Sequence, residues 1–161
     1  MAVRPTIDGV PLLEFMTSYQ REGVLRFRGR SGIYYWATGA GKTFASLVWA
    51  ETTASRTVVV TKANTKRQWK AEAQRFTDLN PRILRGHTTE PIPSDCTIVI
   101  LNWEILPHWV GTLIRWGAQQ VIYDELHRAK NWKRTTRAVG ADDKVVKVSL
   151  QNISASAAKL S

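Results

Sequence analysis

Short apolar runs rich in β-branched residues alternate along this chain with longer segments in which apolar residues recur at helical spacing. The short runs predict buried strands, which lie at 56–61, 97–101, 121–123 and 145–150, with a shorter strand around Ile83. Another apolar run begins at Ile33 and leads into a glycine-bearing turn, which predicts a strand immediately before that turn.

The helical segments lie between these strands. They are predicted at 19–27 after a cap at Thr17 or Ser18, from 42 to about 54, after a cap at Asn64 or Thr65, at 103–116 with an interruption at Pro107, and at 131–139. Strands that alternate with helices are typical of a parallel sheet covered on both faces. The fold class predicted is therefore α/β, with a mostly parallel central sheet.

Composition indicates one soluble globular domain over residues 1–161. The chain is 43% hydrophobic and 22% charged, and no apolar run approaches the roughly 20 residues of a membrane span. The first residues lack the apolar stretch of a secretory signal. A single cysteine, Cys96, permits no internal disulfide and is expected to be a small core residue at the start of a strand. We therefore expect an intracellular protein, cytoplasmic or associated with the nucleoid or nucleus, with no membrane partner.

The balance of charges favours a polyanionic partner. The 23 Lys and Arg residues outnumber the 13 Asp and Glu residues, for a formal net charge of +10. Basic side chains that neutralise phosphates release condensed counterions, which makes nucleic acid the favoured partner. The alternative is that the charge serves solubility alone.

A glycine-bearing turn at 36–43 has the pattern of a phosphate-binding loop. Gly39 and Gly41 would let consecutive N–H groups face a phosphate, and the helix that follows adds the positive end of its dipole. Lys42 would reach the β- and γ-phosphates of ATP, and Thr43 would hold Mg²⁺. Phosphate-binding loops usually have a small residue at the position of Trp36. The tryptophan makes the end of the preceding predicted strand bulky. The nucleotide-binding residues predicted in the loop are Thr38, Gly39, Ala40, Gly41, Lys42 and Thr43.

Two carboxylates follow the predicted strand at 121–123. Ligands of open α/β sheets lie beyond the carboxyl ends of the strands, so Asp124 and the glycine-bearing turn should share an edge. Asp124 would hold Mg²⁺, because hard cations prefer carboxylate oxygens. Glu125 would orient or deprotonate the attacking water. An Asp-Glu pair by itself is more often a solvated turn, and its place after a strand in a chain with a phosphate loop favours the catalytic interpretation.

These segments resemble superfamily 2 helicases and translocases. The segment Asp124-Glu125-Leu126-His127 resembles their Asp-Glu-x-His box, and Arg128-Ala129-Lys130-Asn131 is similar to the Swi/Snf branch. About twenty residues before Lys42, Tyr19-Gln20 resembles the segment in which an aromatic ring and a glutamine amide hold adenine. The resemblance implies the RecA-like P-loop fold, a three-layer sandwich, with ATP and Mg²⁺ as cofactors.

Weaker matches follow in the family's order. The strand at 58–61 with Trp69 resembles segment Ia, although Lys62-Ala63 replaces the usual proline. The stretch at 97–106 resembles the strand and helix that precede the box. Residues 154–157 resemble the Ser-Ala-Thr motif that couples nucleotide state to the nucleic-acid track, without its threonine and after a Gln-Asn interruption. The resemblance implies coupling roles for His127, Ser154 and Ser156.

Basic residues around the Asp-Glu-x-His box and directly after the predicted strand at 56–61 are candidates for nucleic-acid contact. They are Lys62, Arg128, Lys130, Lys133 and Arg134, and Trp132 among them could stack on a base or simply pack. Trp49, Trp69 and Trp116 recur with apolar residues at helical spacing and are expected in the core.

The resemblance implies the first, ATP-binding lobe of a DNA-dependent ATP hydrolase, either a helicase or a translocase on duplex DNA. A second lobe, which supplies arginines for catalysis, is absent from the sequence and is expected in cis in a longer protein or in trans. The isolated chain should then bind ATP weakly and hydrolyse it poorly. Two alternatives are a non-catalytic nucleic-acid-binding or ATP-switch protein and the motor part of a restriction-type complex.

Overall fold

The computed structural model describes residues 6–7, 10–27, 30–53, 56–125, 138–139 and 145–146. The strands are β1 (Thr6–Ile7), β2 (Val10–Pro11), β3 (Thr57–Thr61), β4 (Pro81–Ile83), β5 (Ile98–Asn102), β6 (Gln120–Tyr123), β7 (Ala138–Val139) and β8 (Val145–Val146). The helices are α1 (Leu12–Phe15), α2 (Ser18–Arg26), α3 (Lys42–Thr52), α4 (Lys66–Phe76) and α5 (Leu106–Trp116).

The centre of the fold is a four-stranded, all-parallel sheet in the order β4-β5-β3-β6. Strands β3 and β5 are buried at all five positions, as expected for β-branched runs covered on both faces. Thr61 lies opposite Asn102, and Val60 lies opposite Tyr123, so β3, β5 and β6 end at one carboxyl edge. The predicted α/β class with a parallel sheet is confirmed.

Alternate residues of β3 enter two separate cores. Val58 and Val60 pack on one face, in a cluster with Trp109 and Trp116 of α5. Val59 packs on the other face, in a cluster that includes the buried side chains Leu47 of α3 and Trp69 and Ala73 of α4. Helices therefore cover both faces of the sheet. None of the helices that the structure describes combines the length and apolar character needed to cross a lipid bilayer.

Pro107 does not interrupt the fifth helix, contrary to the sequence prediction. The helix begins at Leu106, so Pro107 falls in its first turn, where a backbone N–H would have no helical partner in any case. The helix ends at Gly117, whose φ of 82° is the left-handed conformation that glycine adopts without strain. Because Pro107 lies in the first turn, it does not break the helix.

The strand predicted from Ile33 is also wrong: residues 31–37 join no sheet in the described part of the chain. The rings of Tyr34 and Trp36 stack with centroids 4.4 Å apart and lie against α2 at Gly23. A Cβ at Gly23 would come within 2.7 Å of the Trp36 ring. Packing of these aromatic rings on α2 takes the place of the predicted strand.

Two further predictions near the end of the chain need correction. The fifth parallel strand expected at 145–150 is described only at Val145–Val146, and it pairs antiparallel with Ala138–Val139. This pairing is local, across a short connection, and needs no crossover. The helix predicted at 131–139 ends in a strand at those same two residues, and 131–137 lie outside the described residues.

Glu51 of α3 makes the stability of this fold depend on pH. Its Oε1 accepts a 2.7 Å hydrogen bond from the Asp78 backbone N–H, whereas its buried Oε2 has no partner among the described residues. Burial raises the pKa of Glu51 from 4.5 to about 7. Because the folded state then binds a proton more tightly than the unfolded state, stability is full below about pH 4.5 and falls as pH rises through about 7.

We expect Glu51→Gln to flatten this dependence. The side chain is half-buried and solvent screens it, so the loss in the wild-type chain should be on the order of 1 kcal/mol. Urea denaturation of both proteins at mildly acidic and mildly alkaline pH measures the difference. An unchanged pH dependence in Glu51→Gln would contradict the assignment.

Candidate functional site

The glycine-bearing loop has the backbone that its sequence suggests. Gly39 and Gly41 have φ values of 81° and 75°, in the left-handed region where a side chain would be strained. Gly41 is the residue before α3, and Lys42 and Thr43 form the first turn of that helix. Thr38 and Gly39 are exposed, whereas Gly41, Lys42 and Thr43 at the amino end of α3 are half-buried. This is an arrangement that can bind an anion.

Lys42 folds back over this loop. Its Nζ donates to the carbonyl oxygens of Trp36 and Ala37, each at 2.9 Å. Both acceptors are neutral backbone groups, so the ammonium charge is held at the loop without a charged partner in these two bonds. An anionic group entering the loop would offer this ammonium a stronger, charge-assisted bond.

Tyr19 and Gln20 of α2 lie against the same loop. The Tyr19 hydroxyl and the Gln20 Nε2 both donate to the Ala40 carbonyl, at 3.2 and 2.9 Å. Gln20 is oriented by a second bond, since its Oε1 accepts from the backbone N–H of Thr17, the residue that caps α2. The Tyr19 ring is 44% exposed and meets Trp36 edge to face at 5.2 Å. The structure thus brings the predicted adenine-binding pair to the predicted phosphate loop.

Hydrogen bonds at the carboxyl end of α3 hold that helix against the start of β6. Gln120, at the start of β6, accepts a bond from Thr53 Oγ1 at 2.9 Å and donates to the Ala50 carbonyl at 3.3 Å. The carboxyl end of α3 therefore lies at the amino end of β6. In the first turn of α3, the Phe44 ring meets the ring of Phe76, the last residue of α4, edge to face at 5.1 Å.

Asp124 follows β6, and two side chains orient its carboxylate. Its Oδ2 accepts from Thr61 Oγ1 at 2.7 Å and from Trp69 Nε1 at 3.2 Å, and its backbone N–H donates to the Val60 carbonyl at 2.9 Å. Trp69 was predicted to be a core residue, and it is 3% exposed and shares a cluster with Leu47 of α3. Its hydrogen bond to Asp124 was not predicted from the sequence. The signal in the sequence concerned the other donor: Thr61 ends the predicted strand at 56–61, and Asp124 directly follows the predicted strand at 121–123.

Glu125 has an unusual backbone and an ionic partner. Its φ of 57° is positive, which is uncommon for a residue with a side chain and is often found at functional sites. Its Oε1 lies 2.9 Å from Lys62 Nζ, and the two side chains are 38% and 39% exposed. Lys62 was expected to contact nucleic acid, and the sequence gave no indication of this pairing.

A basic cleft opens beside these residues at the carboxyl edge. It has a volume of about 430 Å³ and is lined by Ala63, Asn64, Lys66, Arg67, Ile83 and Arg85. Lys66 reaches inward, since its Nζ donates to Asn102 Oδ1 at 2.7 Å and to the Leu84 carbonyl at 3.3 Å. Burial, and secondarily the charge of Arg85, lowers the pKa of the Lys66 ammonium. The three cations of the cleft could hold a phosphate backbone.

Several predicted site residues lie outside the described residues. They are His127, Arg128, Lys130, Trp132, Lys133, Arg134, Ser154 and Ser156. Their predicted roles in coupling and in nucleic-acid contact stay predictions.

The described residues thus form two groups of predicted site residues. One group surrounds the loop at 36–43, and the other is the pair Asp124 and Glu125 with its partners. No protein-family model matches this chain, and no curated protein matches it.

Proposed function

We propose that this chain is the ATP-binding, RecA-like first lobe of a nucleic-acid-dependent ATP hydrolase, a helicase or translocase of superfamily 2. The observation that carries the proposal is a glycine-bearing loop that ends in Lys42 at the head of α3 and is bonded by Tyr19 and Gln20, in a chain whose Asp124 and Glu125 follow β6. This arrangement combines anion-binding donors with carboxylates able to act on a phosphoryl group.

The loop suits the phosphates of a nucleotide. Gly39 and Gly41 leave its backbone without side chains at two positions, and the first turn of α3 offers unpaired N–H groups. Lys42 exchanges its two carbonyl partners for phosphate oxygens. Tyr19 offers an exposed ring and Gln20 an amide beside the loop, and these two residues hold the adenine base.

Asp124 and Thr43 are the residues that would hold Mg²⁺. Within the described ranges, no three His, Cys, Asp or Glu side chains group closely enough to hold a metal on their own. Proteins often bind Mg²⁺ through one or two carboxylates together with substrate phosphates and water. The bound ion would neutralise charge on the phosphates. Thr61 and Trp69 keep the Asp124 carboxylate oriented toward this task.

Glu125 is the residue assigned to the water. A carboxylate beside the phosphate site can orient water or accept its proton, and the left-handed backbone at Glu125 carries a side chain where glycine would be unstrained. A functional role explains why that strain is kept. Arginines from a second lobe, in cis or in trans, would stabilise the transferred phosphoryl group.

Nucleic acid is the proposed activator, with duplex DNA as the family's usual track. The net charge of +10 and the cleft lined by Lys66, Arg67 and Arg85 support a polyanionic partner. The cleft lies at the same edge as Asp124, so a bound backbone would lie beside the hydrolytic residues.

The experiment that tests this function is ATP hydrolysis by the purified chain, with protein in excess over ATP. We expect slow hydrolysis that duplex DNA stimulates by about tenfold or more, a coupling of ordinary size for linked sites. Nucleotide binding that depends on Lys42, without turnover, would support a lobe that requires its partner. Absence of Lys42-dependent nucleotide binding would overturn the proposal.

A further inference from the structure

Lys62 is paired with Glu125, the residue proposed to act on the attacking water. Its ammonium lies 2.9 Å from Glu125 Oε1. A cation in contact with a carboxylate oxygen forms a charge-assisted hydrogen bond with it. The same contact also takes up an oxygen that would otherwise accept a hydrogen bond from water. In this state Glu125 is held away from its proposed task.

Lys62 also borders the basic cleft. It directly follows β3, and the next two residues, Ala63 and Asn64, line the cleft with Lys66. One short segment therefore carries both the ammonium that holds Glu125 and part of the surface proposed to bind a phosphate backbone. A polyanion in the cleft would offer Lys62 a second anionic partner.

We infer that Lys62 is a positioning residue that exchanges between Glu125 and a nucleic-acid phosphate. In the absence of nucleic acid it holds Glu125, and nucleic acid bound in the cleft draws Lys62 away and leaves Glu125 able to act on water. The inference rests on the proposed function and deepens it, because it names the residue through which nucleic acid stimulates hydrolysis.

The exposure of the pair makes such an exchange feasible. Both side chains are more than a third exposed, and exposed ion pairs contribute little to stability. When a cationic side chain binds the phosphates of a duplex, by contrast, condensed counterions are released, and this release favours binding. A contact of this modest strength can therefore be given up when nucleic acid binds, whereas a deeply buried pair could not.

A double-mutant cycle on nucleic-acid binding tests the exchange without any requirement for hydrolysis. Affinity for duplex DNA is measured without nucleotide for the wild-type chain, Lys62→Met, Glu125→Gln and the double variant. We expect Glu125→Gln to tighten binding about two- to fivefold when Lys62 is present, by freeing its ammonium, and clearly less in the Lys62→Met background.

A second exposed ion pair supplies a matched control. Arg82 Nη2 lies 2.5 Å from Glu90 Oε1, and Glu90→Gln changes the net charge by the same amount as Glu125→Gln. Because Glu90→Gln also releases Arg82, any gain in affinity from it measures the combined effect of net charge and of an exposed cation released elsewhere than at Glu125. Equal effects of Glu125→Gln with and without Lys62 would overturn the exchange.

Single-turnover hydrolysis provides the second readout. We expect Lys62→Met to raise the rate without DNA about two- to fivefold and to reduce the stimulation by DNA by the same factor. Lys62→Arg, which keeps the cation, should restore both values toward the wild type. A lower rate without DNA in Lys62→Met would overturn the inference, because Lys62 would then assist Glu125.

The two readouts separate this inference from the function on which it rests. If the wild-type chain shows no hydrolysis that depends on Lys42, the proposed ATP hydrolase fails. The binding cycle still decides the exchange in that case, since it requires only Lys62, Glu125 and the duplex.

Discussion

Replacement of Glu125 by glutamine is expected to slow single-turnover ATP hydrolysis by about a hundredfold to ten-thousandfold while nucleotide binding is retained. Glutamine keeps the size of the side chain but cannot accept a proton from water, and general bases contribute rate factors of about this size. Hydrolysis with protein in excess over ATP, together with direct measurement of ATP affinity, separates the chemical step from binding.

Glu90→Gln is the matched control for this variant, because Glu90 is also an exposed carboxylate in an ion pair. We expect it to hydrolyse ATP at the wild-type rate. If Glu125→Gln hydrolysed ATP as fast as the wild type, Glu125 would have no catalytic role.

Removal of the Lys42 ammonium should have the second large effect. Lys42→Met is expected to weaken ATP binding about ten- to a hundredfold, because each hydrogen bond to a charged group contributes on the order of 1.5–3 kcal/mol. Methionine retains an unbranched stem but cannot bond to phosphate. Isothermal titration with ATP measures the loss, and hydrolysis with and without duplex DNA should fall with it.

Lys42 also closes its own loop, so the fold of this variant must be checked. Its bonds to the Trp36 and Ala37 carbonyls are lost in Lys42→Met, and circular dichroism with urea denaturation reports any unfolding. Lys70→Met, on α4, removes a lysine from another element and should leave ATP affinity unchanged. Equal ATP affinity in the wild type and in a folded Lys42→Met would exclude the loop as the phosphate site.

Local signals in the sequence predicted most elements of the fold. The valine and isoleucine runs located β3, β5 and β6 to within about a residue. Strands β3 and β5 are buried on both faces, which leaves a continuous apolar run, whereas β6 was predicted to be buried and is half-buried at all four positions. Thr17 correctly marked the start of α2, and Gly39 and Gly41 correctly marked a loop before α3. These features depend on residues close together in the chain, so the chain order alone reveals them.

The strand prediction at Ile33 was wrong because the tertiary packing of this segment differs from what its local sequence pattern predicts. A run of apolar, β-favouring residues predicts a strand, but a strand also requires a partner with free N–H and C=O groups. Here the rings of Tyr34 and Trp36 pack on α2 at Gly23. No local signal distinguishes an extended segment that packs its rings on a helix from one that joins a sheet.

The sequence by itself determined the α/β class, the glycine-bearing loop with Lys42 and the acidic pair at the end of a strand. Only the tertiary structure decided what holds that pair: Trp69 and Thr61 on Asp124, and Lys62 on Glu125. The partners lie 55 to 63 positions apart in the chain. They meet because the parallel register of β3 and β6 ends both strands at one edge, and that register is set by the packed core rather than by any short stretch of sequence.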